Sequence, residues 1–292
     1  MRWTLPSNEQ LRLYRSLFNV REDVFAIRWE KGKKKGYYPA YQFDPYRYRL
    51  HKIKGGSLKD FPDKSPLKLD DSQLMKHFSG DQFIGGYPLL HDNSSWFIAA
   101  DFDGEKWKTE SLKFIKVCQE QYISPYLERS QSGNGAHVWV FFDESYPAFK
   151  SRSVITFLLE KAEIISKFDK SSSFDRLFPN QDQLSGKKLG NLIALPFQGK
   201  SLLADNSCFI DPNTLTAIED QWDFISKIKR TEVQILDKIY DEIGNTSRKV
   251  HKINDTEKII IRLDNYLHLS KILLTSEIRD FLKEELNIAN SE

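Results

Sequence analysis

Between residues 94 and 197 the chain switches repeatedly between two hydrophobic periods, and the order of switching restricts the folds open to it. SSWFIAADFD (94–103) reads as a strand, and TESLKFIKVCQEQY (109–122) sets Leu112, Ile115 and Tyr122 on one helical face. SPYLERS (124–130) is a second strand, SGNGA (132–136) a turn and HVWVFF (137–142) a third strand. FKSRSVITFLLEKAEIISKF (149–168) reads as a long helix. After a polar loop, DKSSSFDRLFPNQDQLSGKKLG (169–190), NLIALPF (191–197) supplies a fourth strand. Strand-helix-strand-strand-helix-strand is the split βαβ order of RRM/ferredoxin-like domains. The expectation is an α+β fold whose sheet carries helices on one face.

The flanks extend this core. Ser7-Asn8-Glu9-Gln10 has the form of a capping box ahead of Leu11, Tyr14, Leu17 and Phe18, which predicts a helix from about Ser7 to Phe18. DVFAIRWE (23–30) alternates as a strand does, and DDSQLMKHFSG (70–80) reads as a capped helix closed by Gly80. KGKKKGYYPAYQFDPYRYRLHKIKGG (31–56) has no clear period and is taken as a long irregular or strand-loop excursion. From about Ser226 the sequence becomes charged, Gly-poor and helical in pattern. The expected organisation is a body over 1–228, with an N-terminal α/β extension over 1–85 and the split βαβ core over 86–228, followed by a helical tail over 229–292.

Composition removes several function classes. At 292 residues, 40% hydrophobic and 29% charged, the chain has the balance of a globular protein with a real core. No apolar run approaches the ~20 residues of a membrane helix. The N-terminus lacks a secretory h-region, and Cys118 and Cys208 are too few for a disulfide framework or a Cys-based zinc site. A cytoplasmic protein is expected, with no membrane partner. Lys+Arg at 43 against Asp+Glu at 41 leaves a net charge of +2, which excludes a general cationic coat for nucleic acid but permits a local basic groove.

Four stretches carry residues suited to chemistry. Side chains alternate along a strand, so Asp101 and Asp103 project to the same face as Phe97 and Ala99. Two carboxylates this close suit a hard divalent cation, Mg²⁺ or Mn²⁺; the alternative is a solvated strand end with Gly104 opening a turn. In ERSQSGNGAHVWVFF (128–142), Ser132, Gly133 and Gly135 form a flexible turn whose backbone N–H groups can cradle an anion. Arg129 and Ser130 add donors before it, and His137 opens the next strand. A plain hairpin turn with a structural histidine is the alternative. In FDRLFPNQDQLSGKKLGNLIALPFQG (174–199), Asp182 can bring a third carboxylate to the pair. Asp175 is its competitor, with Arg176 beside it as a pairing partner. Lys187 and Lys188 are placed to meet phosphate or simply to be solvated. In GYYPAYQFDPYRYRLHKIK (36–54), tyrosines including Tyr46 interleave with Arg47, Arg49, Lys52 and Lys54, a mixture suited to single-stranded nucleic acid or to a loop that packs its rings and wets its charges.

Taken in order, these features resemble the archaeo-eukaryotic primase superfamily, and within it the primase-polymerase domain of TOTE conflict systems and the CRISPR-associated primase-polymerases. The resemblance rests on YPLL (87–90), WFIAADFD (96–103), ERSQSGNGAHVWVFF (128–142), FDRLFPNQD (174–182) and GNLIALPFQG (190–199), with VREDVFAIRWE (20–30) and NSCFIDP (206–212) also similar. It runs from about Leu17 to about Trp222. It implies template-directed nucleotidyl transfer from NTPs or dNTPs on single-stranded or primed DNA. It also implies three carboxylates holding two divalent ions, Mg²⁺ or Mn²⁺, and a Ser/His turn gripping the triphosphate. Asp101 and Asp103 match its first motif and Ser132 and His137 its second. Asp182 best matches the third acid, although the stretch from Asp182 to Gly190 is longer than in plasmid primase relatives.

Two departures are visible. Relatives commonly carry a Cys cluster in the region matching 36–60; here that region has Tyr, Pro and Lys but no Cys, so no zinc is expected. Such domains are usually followed by a helicase region, whereas this sequence stops after ELNIANSE, as a stand-alone enzyme or one separated from that region would. A catalytically silent binding module for nucleotide or single strands, and a metal-dependent nuclease on the same ligands, are the competing readings.

Overall fold

Ser7 Oγ accepts from Gln10 N at 3.2 Å while Gln10 Oε1 accepts from Ser7 N at 2.9 Å, and this capping box starts α1 (Asn8–Leu17). The computed structural model describes residues 3–32, 34–165, 172–184 and 189–245. After α1 come β1 (Ala26–Lys31), β2 (Lys34–Pro39), β3 (Tyr41–Phe43), α2 (Pro45–Ile53), β4 (Lys64–Pro66), α3 (Asp71–Ser79) and β5 (Ile84–Gly86). The central region supplies β6 (Ser94–Asp103), α4 (Trp107–Glu120), β7 (Pro125–Arg129), β8 (Gly135–Pro147), α5 (Ala148–Lys161) and β9 (Phe174–Phe178). Then follow β10 (Ile193–Ala194), α6 (Gly199–Leu202), β11 (Cys208–Phe209) and α7 (Gln221–Ser226).

The result is a mixed α/β fold on antiparallel sheets. The larger sheet has the order β11-β7-β8-β6-β9 and the smaller β10-β5-β1-β2, with β3 and β4 paired separately. Register assigns the two faces of the larger sheet. Ile98 opposite Val140 and Ala100 opposite Val138 turn one way, toward α4 and α5, where Phe102 meets Phe114 with ring centroids 6.0 Å apart. Phe97 opposite Phe141 and Ala99 opposite Trp139 turn the other way and bury under α1, whose C-cap Phe18 meets Trp139 edge-on at 5.1 Å. The same alternation carries the second face on to Asp101 and Asp103 at the strand's open end.

The smaller sheet is tied in through buried polar groups. His77 Nε2 donates to Pro196 O at 2.9 Å and His77 Nδ1 accepts from Ile84 N at 3.1 Å, joining α3 to β5 and to the segment after β10. Burial holds this imidazole down at about 4, so it is neutral and structural. Tyr14 Oη donates to the same Pro196 carbonyl at 2.8 Å.

Three expectations are corrected. The fourth strand of the larger sheet is β9, inside the stretch expected to be a polar loop; five residues with two charges gave too short an alternation to stand out. NLIALPF contributes only the two residues of β10, and these pair with β5 in the smaller sheet. In the 31–56 excursion the strand-loop form holds for β2 and β3, with β1 and β2 in a hairpin turning near Gly32 (φ 59°), but Pro45–Ile53 is the helix α2, which Asp44 caps by accepting from Tyr46 N and Arg47 N. Residues 1–240 form one compact unit, in which Thr231, Leu236 and Ile239 are buried and Asp143 N donates to Thr231 O. Of the second unit, 241–292, only 241–245 fall among the described residues, and they are helical. The rest of the expected helical tail, like the expected end of the 149–168 helix, lies outside the described residues. Among the described residues no helix is long and apolar enough to cross a membrane.

Candidate active site

Four residues stand in one row across the larger sheet: Glu128 on β7 faces His137 on β8, which faces Asp101 on β6, which faces Arg176 on β9. Glu128 is 1% exposed, and its Oε2 accepts from His137 Nδ1 at 2.8 Å and from Trp139 Nε1 at 2.7 Å. A buried carboxylate is costly unless it is paired and hydrogen-bonded, and these two donors meet that requirement. With Nδ1 so engaged, the ring turns Nε2 toward Asp101 Oδ1, 3.6 Å away. Burial disfavours the imidazolium, but the Glu128 charge and hydrogen bond, with Asp101 and Asp103 adding to them, outweigh it and raise His137 to about 9.

Asp103 reaches its place because β8 begins with a glycine. A Cβ on Gly135 would lie 2.3 Å from Asp103 Oδ1 and 2.6 Å from Phe102 O, so only glycine lets the two strands close here. The third acid comes from β9. Asp101 pairs with Arg176 and Phe102 with Phe174, which leaves Asp175 as an extra residue in a β-bulge. Bulges re-aim side chains, and this one turns Asp175 toward the other two acids. One ligand atom from each of Asp101, Asp103 and Asp175 lies within 4.8 Å of the others. Burial, with the charges of Asp103 and Asp175 adding to it and His137 opposing, pushes Asp101 up to about 6. Three carboxylates held this closely have the hard oxygen donors that suit a divalent cation.

Asp182 is not in this cluster. Its carboxylate is ion-paired with Arg152 of α5, and the third carboxylate of the cluster is that of Asp175, whose Oδ2 also accepts from Arg176 Nε at 2.6 Å. Arg129 also departs from expectation. It alternates away from Glu128, and its guanidinium donates to Asp205 O and Leu215 O, fastening β7 to the segments around β11. Ser130 and Ser132 do line the cleft beside His137, their hydroxyls 3.2 Å apart, with Asn134 N donating to Ser132 Oγ at 3.2 Å. Gly133 holds the turn at φ 75°. Lys187 and Lys188 lie outside the described residues.

The opposite wall of the cleft comes from the smaller sheet, and its residues had no part in the acid site expected from sequence. Arg28, Lys35 and Tyr37 face Asp101, Asp103 and His137 across it. Arg28 and Tyr37 are cross-strand partners, and the guanidinium sits 5.7 Å from the Tyr37 ring centroid and 5.6 Å from that of Phe83. Its Nε donates to Glu30 Oε1 at 2.9 Å. Tyr46, Arg47, Arg49, Lys52 and Lys54 lie on or directly after α2, all exposed and none in the cleft; Arg47 pairs with Asp63 at 3.3 Å.

The family model for the archaeo-eukaryotic primase domain of TOTE conflict systems matches residues 9–239. The chain belongs to that family. Membership in the primase domain family supports nucleotidyl transfer as its chemistry, and the match takes in every residue of the acid cluster, the Ser/Gly turn and His137. No curated protein matches the chain in sequence. Among solved structures, the polymerase domain of ligase D from Mycobacterium tuberculosis, in complex with DNA, is similar at 13% identity and a TM-score of 0.35, over 81% of this chain and 88% of that one.

Proposed function

We propose that this primase domain is a divalent-metal-dependent primase-polymerase. It transfers nucleotides from NTPs or dNTPs to the 3′-hydroxyl of a strand paired with a DNA template. The observation that carries the proposal is the convergence of Asp101, Asp103 and Asp175 beside a histidine held by Glu128. We read β6-α4-β7-β8-α5-β9 as the split βαβ of an RRM-like core, since β9, β6, β8 and β7 are neighbours in that order.

Asp101, Asp103 and Asp175 would hold two ions, Mg²⁺ or Mn²⁺, which when bound neutralise charge on the triphosphate and lower the pKa of the attacking hydroxyl. His137, its Nδ1 held by Glu128, presents Nε2 into the cleft as a fixed donor for a phosphate oxygen. Ser130, Ser132 and the backbone of the turn through Gly133 to Gly135 add neutral donors on the same side. Arg28 and Lys35 bring positive charge from the opposite wall. Holding a triphosphate between two walls with its charge compensated is most of what phosphoryl transfer asks of a protein. Tyr46, Arg47, Arg49, Lys52 and Lys54 on the α2 surface are proposed to contact the template.

The test is extension of a labelled primer on a DNA template with Mn²⁺ or Mg²⁺ and each class of nucleotide. Extension by the wild-type protein and its loss in Asp101→Ala is the expected result. Equal extension by Asp101→Ala excludes the acid cluster as the centre, and shortening of the primer assigns the same ligands to a nuclease.

A further inference from the structure

The β1–β2 hairpin has a second face, turned away from the cleft. Register places Ile27 opposite Tyr38, Trp29 opposite Gly36 and Lys31 opposite Lys34 on this face, while Arg28, Tyr37 and Lys35 point to the other. Trp29 and Tyr38 are diagonal neighbours and each is 39% exposed, so the two rings form one exposed aromatic pair. A Cβ on Gly36 would lie 3.1 Å from Trp29 Nε1 and 3.3 Å from Cε2, so the indole lies flat across the neighbouring strand with its upper surface in solvent. Beyond it, Lys31 and Lys34 stand directly opposite each other, exposed and without an ion-pair partner among the described residues. Like charges in facing positions are unfavourable in a strand pair, and an anion between them reverses the sign.

We propose that this outward hairpin face is a stacking platform for single-stranded nucleic acid, with bases on Trp29 and Tyr38 and backbone phosphate between Lys31 and Lys34. Flat exposed rings next to paired cations are what such a strand needs: every base has a π-face and every nucleotide a phosphate, so the platform is tolerant of sequence. The hairpin then serves two ligands at once. Its inner side chains line the cleft, and its outer ones guide a strand along the rim. Only the purpose of the bound strand rests on the nucleotidyl-transfer reading; the binding itself does not.

The test is therefore run on the full chain without metal or nucleotide, following tryptophan fluorescence as oligothymidine is added. Stacking on Trp29 quenches its emission, so Trp29→Phe should lose most of the quenching yet keep its affinity, measured by anisotropy of labelled oligothymidine, within about threefold. Trp29→Ala should weaken binding by about tenfold or more. Lys31→Glu with Lys34→Glu should weaken it as well and make the dependence on salt shallower by about 0.7 in log–log slope, from the one phosphate held between them on a single strand. Unchanged affinity in Trp29→Ala and in the double lysine variant, with melting temperatures also unchanged, overturns the platform. So does quenching by polyglutamate equal to that by oligothymidine, which assigns the face to an acidic polypeptide. Either failure leaves primer extension to be judged separately, and loss of extension with intact quenching leaves the platform standing.

Discussion

Glu128 Oε2 accepts from His137 Nδ1 at 2.8 Å across β7 and β8, in a position where neither group is more than 7% exposed. The pair gives the site a histidine of fixed orientation and raised basicity. Its effect on stability has a definite sign. His137 titrates at about 9 in the fold, above the ordinary imidazole value of about 6.5. Its contribution is complete below pH about 6.5 and is lost as pH rises through about 9. Asp101, raised to about 6, costs stability as it ionises between about pH 4 and 6 and adds no slope above that. In chelator, the urea midpoint of the wild-type protein should therefore fall between pH 6.5 and 9. Glu128→Gln should flatten that slope and lower stability at pH 6.5 by roughly 3 kcal/mol, the cost of breaking a buried pair. An unchanged slope in Glu128→Gln would mean that Glu128 does not set the His137 proton.

Gly135→Ala places a methyl group against Asp103 Oδ1 and the Phe102 carbonyl. Overpacking of this kind costs about 1–3 kcal/mol. Because the displaced group is a cluster carboxylate, Mn²⁺ affinity should drop along with the urea midpoint. Free Mn²⁺ measured by electron paramagnetic resonance checks the first and chemical denaturation the second. A variant that loses stability but binds Mn²⁺ as the wild type does would uncouple Asp103 from the ion.

Arg129→Ala should behave as a structural lesion. It removes the donor to the Leu215 carbonyl and one donor to that of Asp205, which keeps the Cys208 thiol, so stability should fall by about 1.5 kcal/mol. The KM for nucleotide should stay within about twofold at a temperature where the variant is folded. A raised KM with unchanged stability would return Arg129 to the nucleotide.

Much of this site was legible in residue order. SSWFIAADFD has the strand period over the same ten residues that form β6, and alternation alone puts Asp101 and Asp103 on one face. His137 comes to stand opposite Asp101 because β8 pairs with β6, an adjacency that the split βαβ order implies. Glu128 was open to register reasoning, since a turn over 130–135 sets residue 128 opposite 137; but an acid in a short strand carries no local sign of burial. Asp175 was hidden by its bulge, because an extra residue breaks the alternation that would have marked both the strand and its face. Arg28, Lys35 and Tyr37 arrive from a separate sheet whose packing no local pattern reports. Asp182 was favoured by its place before an apolar run, and that run pairs in the smaller sheet.

The central claim is that Asp101, Asp103 and Asp175 together form the metal centre for strand extension. Parallel primer-extension assays of Asp175→Ala and Asp182→Ala in Mn²⁺ test it most directly, with a melting curve for each variant to confirm folding. Removing a metal ligand forfeits several kcal/mol of charge stabilisation, so Asp175→Ala should lose about 100-fold or more of the rate, while Asp182→Ala, which breaks only the pair with Arg152, should stay within about threefold. Loss in Asp182→Ala with full activity in Asp175→Ala would contradict the account.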